Sequence, residues 1–406
     1  MLVSVISCCL KVVISSRRNR ALSTRVYVVV DQCYGKDLMS YLLDLKTVVD
    51  INSFTKNKAG VDKVGQIFDG WLEPLGFEVT VYQRELIGEH RLYCSPRKEG
   101  RRLLLLGHLD TVFPEGKFES FSEDEAWVYG PGVCDMKGGN IVALEALRRL
   151  KAAGLEIMNV DILFVSDEET GSDDSKLLTA KLAQEYDYCL VYEAAGVAGE
   201  VVTGRKGVGT FFIDITGVAK HAGNFYAEGV DANLEAALKL QKLVALTDLS
   251  KGTTVNVGKM EGGIGANTIS PHAHLTFELR YKSTAERDRV LSAIDVIVAT
   301  SYVEGTTAQL SGGIQRDVMM SSEASYGLVD DIERITGERL PTEERGGVSD
   351  ANIVSSCGVI TLDGLGPFGD GDHTVHERAN KQSFEERIVL SEKLIGYFIE
   401  NLGFKG

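Results

Sequence analysis

Apolar residues recur at three- and four-residue spacing in several long segments of this chain, which is the pattern of amphipathic helices. These segments include KDLMSYLLDLKTVV, VDKVGQIFDGWLEPL and NIVALEALRRLKAAG. Between them lie short apolar runs with the length of buried strands. The runs are FEVTVY, RRLLLLGH, VDILFVSDEE, YDYCLVYEA and GVITLDGL. Their alternation with helices predicts an α/β fold with a mostly parallel central sheet.

The middle of the chain follows a different order of elements. Residues 206–313 read as strand, helix, strand, strand, helix and strand, or βαββαβ. This is the split ferredoxin-like unit, which forms a small domain of its own. We therefore predict an N-terminal extension over residues 1–35 and a larger α/β domain in two parts, 36–205 and 314–406. The ferredoxin-like domain over residues 206–313 is inserted between those two parts.

The charge balance argues against two classes of partner. The chain has 43 basic and 58 acidic residues, for a net charge of −15. Such a surface repels phosphate backbones and anionic membranes, so we expect neither nucleic acid nor membrane as a partner. The seven cysteines are scattered and lack CxxC spacing, which indicates neither a disulfide framework nor a thiolate metal site. A reducing, cytoplasmic location is expected.

The first thirty residues differ from the rest because they contain basic side chains but no acidic one. The apolar stretch over residues 2–14 is shorter than the roughly 20 residues that cross a bilayer. Most of the positive charges follow this stretch, unlike those of a secretory signal. An organelle transit peptide and a dispensable or misassigned start both fit this composition.

Histidine and acidic residues cluster at the ends of the predicted strands or in the loops beyond them. They are His108 and Asp110 after RRLLLL, Asp135 in PGVCDMKGG, Glu168 and Glu169 after DILFVSD, Glu193 after CLVY, and His373 in GDGDHTVHE. The carboxyl ends of neighbouring strands in an open α/β sheet face one crevice, so these side chains can converge there. Imidazole and carboxylate ligands suit a cation such as Zn²⁺. Taken singly, each residue also has a structural alternative, such as capping the next helix.

A set of short motifs occurs in one order from about residue 36 to the C-terminus. The motifs are GHLDTVFP, GPGVCDMKGG, SDEETGS, YEAA, GRKGVG, AKHAG, NTISP, ELRY, GGVSDAN and GDGDHTVHE. This set resembles the zinc exopeptidases and deacylases, a family that includes bacterial glutamate carboxypeptidase, acetylornithine deacetylase, succinyl-diaminopimelate desuccinylase and certain dipeptidases. The resemblance implies a catalytic α/β domain interrupted by a ferredoxin-like lid that forms a homodimer.

The resemblance also implies a metal centre with two Zn²⁺ ions per subunit, for which Co²⁺ or Mn²⁺ are alternatives. Asp135 would bridge the two ions. His108 and Glu193 would complete one site, and Glu169 and His373 the other. The family also places the peptide bond after the bridging aspartate in the cis form, which here is Asp135–Met136.

Two further carboxylates receive catalytic roles from the resemblance. Asp110 would orient the imidazole of His108, because ligating histidines normally have such a partner. Glu168 would act as general base toward a water molecule held between the ions, and then as acid toward the leaving amine. Cys134, directly before Asp135, is interpreted as a buried structural residue, since the family does not use that position as a ligand.

The inserted domain carries the residues expected to face the substrate. His221 in AKHAG resembles a histidine that reaches across the dimer to stabilise the oxyanion of the tetrahedral intermediate. Asn267 in ANTISP resembles a residue that faces the substrate. Arg280 in ELRY resembles one that binds the α-carboxylate, although a surface ion pair is its structural alternative.

Two more residues bear on substrate choice. Gly347 in GGVSD resembles a loop whose backbone approaches the substrate, and Arg316 in GGIQR is a candidate partner for a second substrate carboxylate. The motifs favour the glutamate carboxypeptidase branch, which cleaves an amide bond next to a free carboxylate in an N-acyl amino acid or peptide. The alternatives are an acetylornithine or succinyl-diaminopimelate type of deacylase, a dipeptidase, and, more remotely, a non-catalytic metal-binding dimeric scaffold.

Overall fold

A computed structural model describes residues 40–405 of the 406-residue chain. The predicted extension over residues 1–35 and the predicted start of the first helix lie outside the described residues. The helices are α1 (Ser40–Val49), α2 (Lys58–Leu72), α3 (Lys137–Ala152), α4 (Ser175–Ala183), α5 (Ala232–Val244), α6 (Thr284–Ala299), α7 (Glu323–Thr336), α8 (Ala351–Ser356) and α9 (Lys381–Asn401). Within residues 40–405, no helix combines the length and the apolar composition needed to cross a bilayer.

The strands belong to a six-stranded sheet, two four-stranded sheets and a two-stranded sheet. They are β1 (Glu78–Tyr82), β2 (His90–Cys94), β3 (Leu103–His108), β4 (Ser122–Glu123), β5 (Trp127–Tyr129), β6 (Val160–Val165), β7 (Tyr188–Val191), β8 (Val201–Arg205), β9 (Gly207–Thr216), β10 (Thr254–Gly262), β11 (His272–Tyr281), β12 (Thr307–Arg316), β13 (Thr342–Arg345), β14 (Ile360–Leu362), β15 (Gly369–Asp370) and β16 (Arg378–Asn380).

The six-stranded sheet has the order β1-β2-β6-β3-β7-β14. Strands β6, β3, β7 and β14 pair in parallel, whereas β2 runs antiparallel to both β1 and β6. The predicted α/β fold with a mostly parallel sheet is confirmed. Strand β2 was not predicted, and it turns one edge of the sheet antiparallel.

Strand β3 shows why its sequence is continuously apolar. Leu103 and Leu105 belong to the larger hydrophobic core, which includes residues of α3 and α9, while Leu104 and Leu106 belong to a second core. Successive side chains of a strand point to opposite faces, so a sheet covered on both faces requires apolar residues at every position.

The second large sheet has the order β10-β11-β9-β12 and is antiparallel throughout. With α5 and α6 it forms the predicted βαββαβ unit, with a hydrophobic core of its own. Strand β12 continues beyond Gly313 to Arg316. This unit is inserted between the two parts of the larger domain, and the residue ranges assigned to the domains remain predictions.

Candidate metal centre and active site

Three neighbouring strands of the six-stranded sheet bring their predicted site residues to one edge. His108 is the last residue of β3, and Glu193 follows β7. Glu168 and Glu169 begin a short 3-10 turn directly after β6. This convergence follows from the parallel pairing of the three strands, whose carboxyl ends lie at the same edge.

Two loops from elsewhere in the chain complete the cluster. Asp135 lies just before α3, and the Asp135–Met136 peptide bond is cis, as the resemblance implied. His373 lies in the turn between β15 and β16, where it has a φ of 61°. The site therefore combines the sheet edge with a loop and a turn that lie far apart in the sequence.

The carboxylate of Asp135 lies between two imidazoles. Its Oδ1 is 3.1 Å from Nε2 of His108, and its Oδ2 is 3.3 Å from Nε2 of His373. Nε2 of His373 is also 3.1 Å from Oε2 of Glu169. Nε2 of His108 is 3.8 Å from Oε1 of Glu193. Asp135 thus faces one histidine with each of its two oxygens.

These distances fit a pair of cation sites. Two ligands at tetrahedral angles around Zn²⁺, each with a bond of about 2.0–2.1 Å, lie roughly 3.3 Å apart. Nδ1 of His108 lies 3.0 Å from the carbonyl oxygen of Asp110, which can only accept a hydrogen bond. In the neutral imidazole the proton is therefore on Nδ1, and the lone pair of Nε2 faces the carboxylates. Donor atoms of His108, Asp135 and Glu169 lie within 4.8 Å of one another.

The acidic residues of the cluster lie close together and are largely shielded from solvent. Burial raises the pKa of Glu169 to about 8, and it also raises the pKa of Glu193. Burial acts in the same direction on Asp135, but without a cation the carboxylates raise the pKa of His108 and His373, and hydrogen bonds from the two protonated imidazoles hold the pKa of Asp135 well below the ordinary value. A cation bound among these side chains would offset the repulsion between them.

Asp110 fixes the position of several of these groups. Its Oδ2 accepts a hydrogen bond of 2.6 Å from the Thr55 hydroxyl, and its Oδ1 lies 3.4 Å from Nδ1 of His108. The backbone N–H groups of Glu168 and Glu169 also donate to its carboxylate, each at 3.3 Å. One buried carboxylate thus links the histidine at the end of β3 to the acidic turn after β6.

Glu168 lies beside the cluster and pairs with an arginine. Its Oε1 is 2.8 Å from Nη1 of Arg316. Nη2 of the same arginine lies 3.2 Å from Asp350 and donates a hydrogen bond to the hydroxyl of Ser172. Burial raises the pKa of Glu168 to about 7 against the opposing effect of Arg316. Arg316 lines the cavity and forms ion pairs with two carboxylates of the protein itself, and its predicted contact with a second substrate carboxylate stays a prediction.

These groups open into a cavity of about 390 Å³. The predicted residues Arg280, Arg316 and Gly347 line it, together with Arg205 and Arg345, which the sequence had not indicated. Arg280 donates to the carbonyl of Gly346 at 2.8 Å and pairs with Glu278. The lining thus places arginines beside the carboxylates of the cluster, and arginine is well suited to bind a carboxylate.

Comparison with known proteins decides the family. A profile of "Peptidase family M20/M25/M40" matches residues 104–396. The chain belongs to this family. It is 28% identical to carboxypeptidase G2 of Pseudomonas sp. (strain RS-16), over 86% of this chain and 87% of that protein. It is 24% identical to succinyl-diaminopimelate desuccinylase of Marinobacter nauticus, over 86% of this chain and 96% of that protein.

The same fold occurs in the aminopeptidase PepT of Bacillus cereus. That structure aligns with a TM-score of 0.72 and 21% identity, over 88% of this chain and 99% of that chain. The predicted family and enzyme class are confirmed by these comparisons, and this M20/M25/M40 chain is a metallohydrolase.

Two residues predicted to face the substrate lie outside the cavity of this M20/M25/M40 chain. His221 and Asn267 occupy exposed turns of the inserted unit, where the residue next to Asn267, Thr268, forms a β-bridge with His221. Nδ1 of His221 accepts hydrogen bonds from two backbone N–H groups, each at 3.2 Å. Neither side chain lines the cavity with Asp135 and Glu168, so their predicted roles require a contact that one described chain does not make.

Sequence reasoning missed Glu377, which supports the loop of Asp135. The carboxylate of Glu377 accepts hydrogen bonds from the backbone N–H groups of Gly132, Cys134 and Asp135, each at 3.0 Å. Its signal was its place in GDGDHTVHE, the motif that also contains His373.

Burial raises the pKa of the Cys134 thiol well above its ordinary value, which agrees with the structural interpretation of that residue.

Proposed function

We propose that this chain is a zinc-dependent exopeptidase of the glutamate carboxypeptidase type, which cleaves the amide bond next to a free carboxylate. The observation that carries the proposal is the position of Glu168. Its carboxylate lines the same cavity as the metal-ligand cluster and as Arg280, yet it is paired with Arg316. A general base, a cation site and a carboxylate-binding group therefore face one substrate-sized space.

The proposal includes two Zn²⁺ ions, for which Co²⁺ or Mn²⁺ can substitute. His108 and Glu193 would hold one ion, Glu169 and His373 the other, and Asp135 would contact both. The ions would polarise the scissile carbonyl and lower the pKa of bound water. The spacing of the imidazole and carboxylate atoms, 3.1–3.8 Å, supports this assignment.

Glu168 would move the proton in the reaction. It takes a proton from the attacking water and delivers it to the nitrogen of the leaving amine. A pKa of about 7 suits both steps, since the group is then readily deprotonated and reprotonated near neutral pH. Arg316 would keep this carboxylate pointed into the cavity through their 2.8 Å contact.

Arg280 would orient the substrate by binding its free carboxylate, with the backbone near Gly347 beside it. N-acyl amino acids and peptides both present such a carboxylate next to the amide bond. The similarity to carboxypeptidase G2 supports the carboxypeptidase branch. The similarity to succinyl-diaminopimelate desuccinylase supports a second candidate, a deacylase that uses the same centre.

We place the active enzyme in a homodimer. His221 and Asn267 are exposed on the inserted unit, as expected for residues that act in the site of a second copy. A histidine delivered in this way would stabilise the oxyanion of the tetrahedral intermediate. The fixed Nδ1 of His221 supports this role, because it leaves Nε2 directed away from its own turn.

The test is release of free amino acid from a panel of N-acyl glutamate, N-acetylornithine, N-succinyl-diaminopimelate and dipeptides, with Zn²⁺ or with a chelator. We expect chelator-sensitive release, greatest for N-acyl glutamate, whereas preference for another member would move the substrate to the deacylase or dipeptidase branch. Glu168→Gln should lower kcat by about 10²–10⁴-fold while zinc content stays unchanged. Glu169→Gln is the matched control, because it should lose zinc. Zinc-loaded Glu168→Gln with the wild-type kcat would contradict the proposed base.

A further inference from the structure

A second cavity, of about 800 Å³, lies beside helix α9. Its walls include residues of the segments 195–199 and 338–341 and of the first half of α9. None of its lining residues lines the catalytic cavity. Leu340, Pro341, Phe368 and Leu390 give it apolar surface. A space of this size and composition accommodates an organic molecule.

A buried arginine in this cavity forms no ion pair with the residues that the structure describes. Arg387 is only 4% exposed, and among residues 40–405 its one hydrogen bond goes to the carbonyl oxygen of Glu200, at 3.2 Å. No carboxylate oxygen in this part of the chain lies within 4.0 Å of its guanidinium. The carboxylate of Glu200 instead accepts the backbone N–H of Ala198 at 2.8 Å. Most donors of the Arg387 guanidinium are therefore available to a ligand.

Other buried arginines of the chain show the usual arrangement. Nε of Arg205 lies 2.6 Å from Asp363, and Arg316 lies 2.8 Å from Glu168. These carboxylates raise the pKa of both arginines against the effect of burial. For Arg387 burial prevails over the attraction of Glu386 and Glu200 and lowers the pKa to about 10, so the group stays charged at neutral pH without full compensation. A buried charge of this kind is costly unless an anion or other polar group pairs with it.

Two of the charged side chains that line the cavity have ionic partners of their own. Glu385 pairs with Arg149 at 2.8 Å, and Arg339 pairs with Asp330 at 2.8 Å. The carboxylate of Glu386 attracts Arg387 but accepts its hydrogen bond from Gln382, at 2.8 Å. Arg387 is therefore the buried guanidinium of this lining that an anion would pair with.

We propose that this cavity binds an organic carboxylate, which pairs with Arg387 while its apolar body packs against Phe368 and Leu340. The planar guanidinium matches a carboxylate with two parallel hydrogen bonds. The apolar walls favour an organic acid over a small inorganic anion, which would leave them wet. This site is separate from the proposed metal centre. Its lining segment 195–199 nevertheless follows Glu193 closely in the sequence. The test therefore has to distinguish binding in the two cavities.

The probe is para-fluorobenzoate, with para-fluorobenzamide as its neutral counterpart, and binding to the zinc-loaded protein is followed by fluorine NMR. We expect the benzoate to bind more tightly than the amide. Arg387→Met should weaken the benzoate by about tenfold or more, because a charge-assisted hydrogen bond is lost. The matched variant Arg280→Met, which removes the arginine proposed to bind the substrate carboxylate in the catalytic cavity, should leave this binding unchanged.

Ala198→Trp gives a second test that does not depend on a buried substitution. Ala198 is exposed and lines the cavity, so a bulky side chain there fills the space without disturbing the core. We expect it to weaken the benzoate as Arg387→Met does. Equal binding of acid and amide, or full binding to both cavity variants, would overturn the proposal. Loss of binding in Arg280→Met alone would do the same, since it would place the carboxylate in the catalytic cavity.

Discussion

Glu377→Gln tests whether the loop of Asp135 is held in place by one buried carboxylate. One oxygen of Glu377 accepts from Cys134 and Asp135, and the other from Gly132, all at 3.0 Å. Glutamine keeps the size of the side chain but turns one oxygen into an amide that cannot accept. In the better of its two amide orientations, the glutamine oxygen still accepts from Cys134 and Asp135. Its NH2 group then faces the N–H of Gly132, which loses its acceptor.

The magnitude follows from this single lost bond. Leaving a buried N–H donor without an acceptor costs about 1–3 kcal/mol, which corresponds to roughly 5–150-fold in an equilibrium constant. If the loss is expressed in the placement of Asp135, zinc affinity should fall by that factor, the range typical of residues that support metal ligands. The zinc-free fold should persist, because the substitution leaves the buried apolar side chains of this loop, Val133, Cys134 and Met136, in the larger core.

The assay is titration of the metal-free protein with Zn²⁺ against a chelating competitor, with circular dichroism to check folding. Asp370→Asn is the matched control. It removes a carboxylate from the same region, but Asp370 pairs with Arg378 at the surface, at 2.8 Å. Equal zinc affinity in Glu377→Gln and the wild type would refute the reasoning. An equal loss in both variants would show that net charge, rather than the loop hydrogen bonds, sets the affinity.

Three further predictions concern charge and assembly. Burial raises the pKa of Glu168 to about 7 and of Glu169 to about 8, above the ordinary 4.5, so their contribution to folding stability is complete below 4.5 and is lost as pH rises toward 8. The melting temperature of the metal-free protein should therefore fall more steeply between about pH 5 and pH 8 than that of Glu169→Gln, and parallel curves would contradict this. Arg205→Met leaves Asp363 buried and unpaired, so urea denaturation should show a loss of about 3–5 kcal/mol, and a loss below about 1 kcal/mol would be inconsistent with a buried ion pair. Mixing His221→Ala subunits with Glu168→Gln subunits should restore up to about a quarter of wild-type sites if His221 acts across a two-fold dimer, whereas no recovery in mixed dimers would exclude that arrangement.

The fold class could be read from the sequence because burial leaves a local signature. Strand β3 is apolar at consecutive positions because both faces of the sheet are covered. The order of predicted strands and helices was sufficient to predict the inserted βαββαβ unit. The convergence of His108, Glu169 and Glu193 followed from the rule that parallel strands end at one edge. Strand β2 was not predicted because this short strand, next to the edge strand β1, has no long apolar run.

Contacts between distant segments were decided only by the tertiary structure. Glu377 and Gly132 are far apart in the sequence, and nothing in their local patterns indicates that one accepts a hydrogen bond from the other. The same holds for the ion pair between Arg316 and Glu168, and for Arg387, which the fold buries without an ion pair among residues 40–405. Local sequence sets periodicity and the residue types available for chemistry. Which charge meets which partner depends on the packing of whole elements, because electrostatic and hydrogen-bonding contacts act over a few ångströms of space and not along the chain.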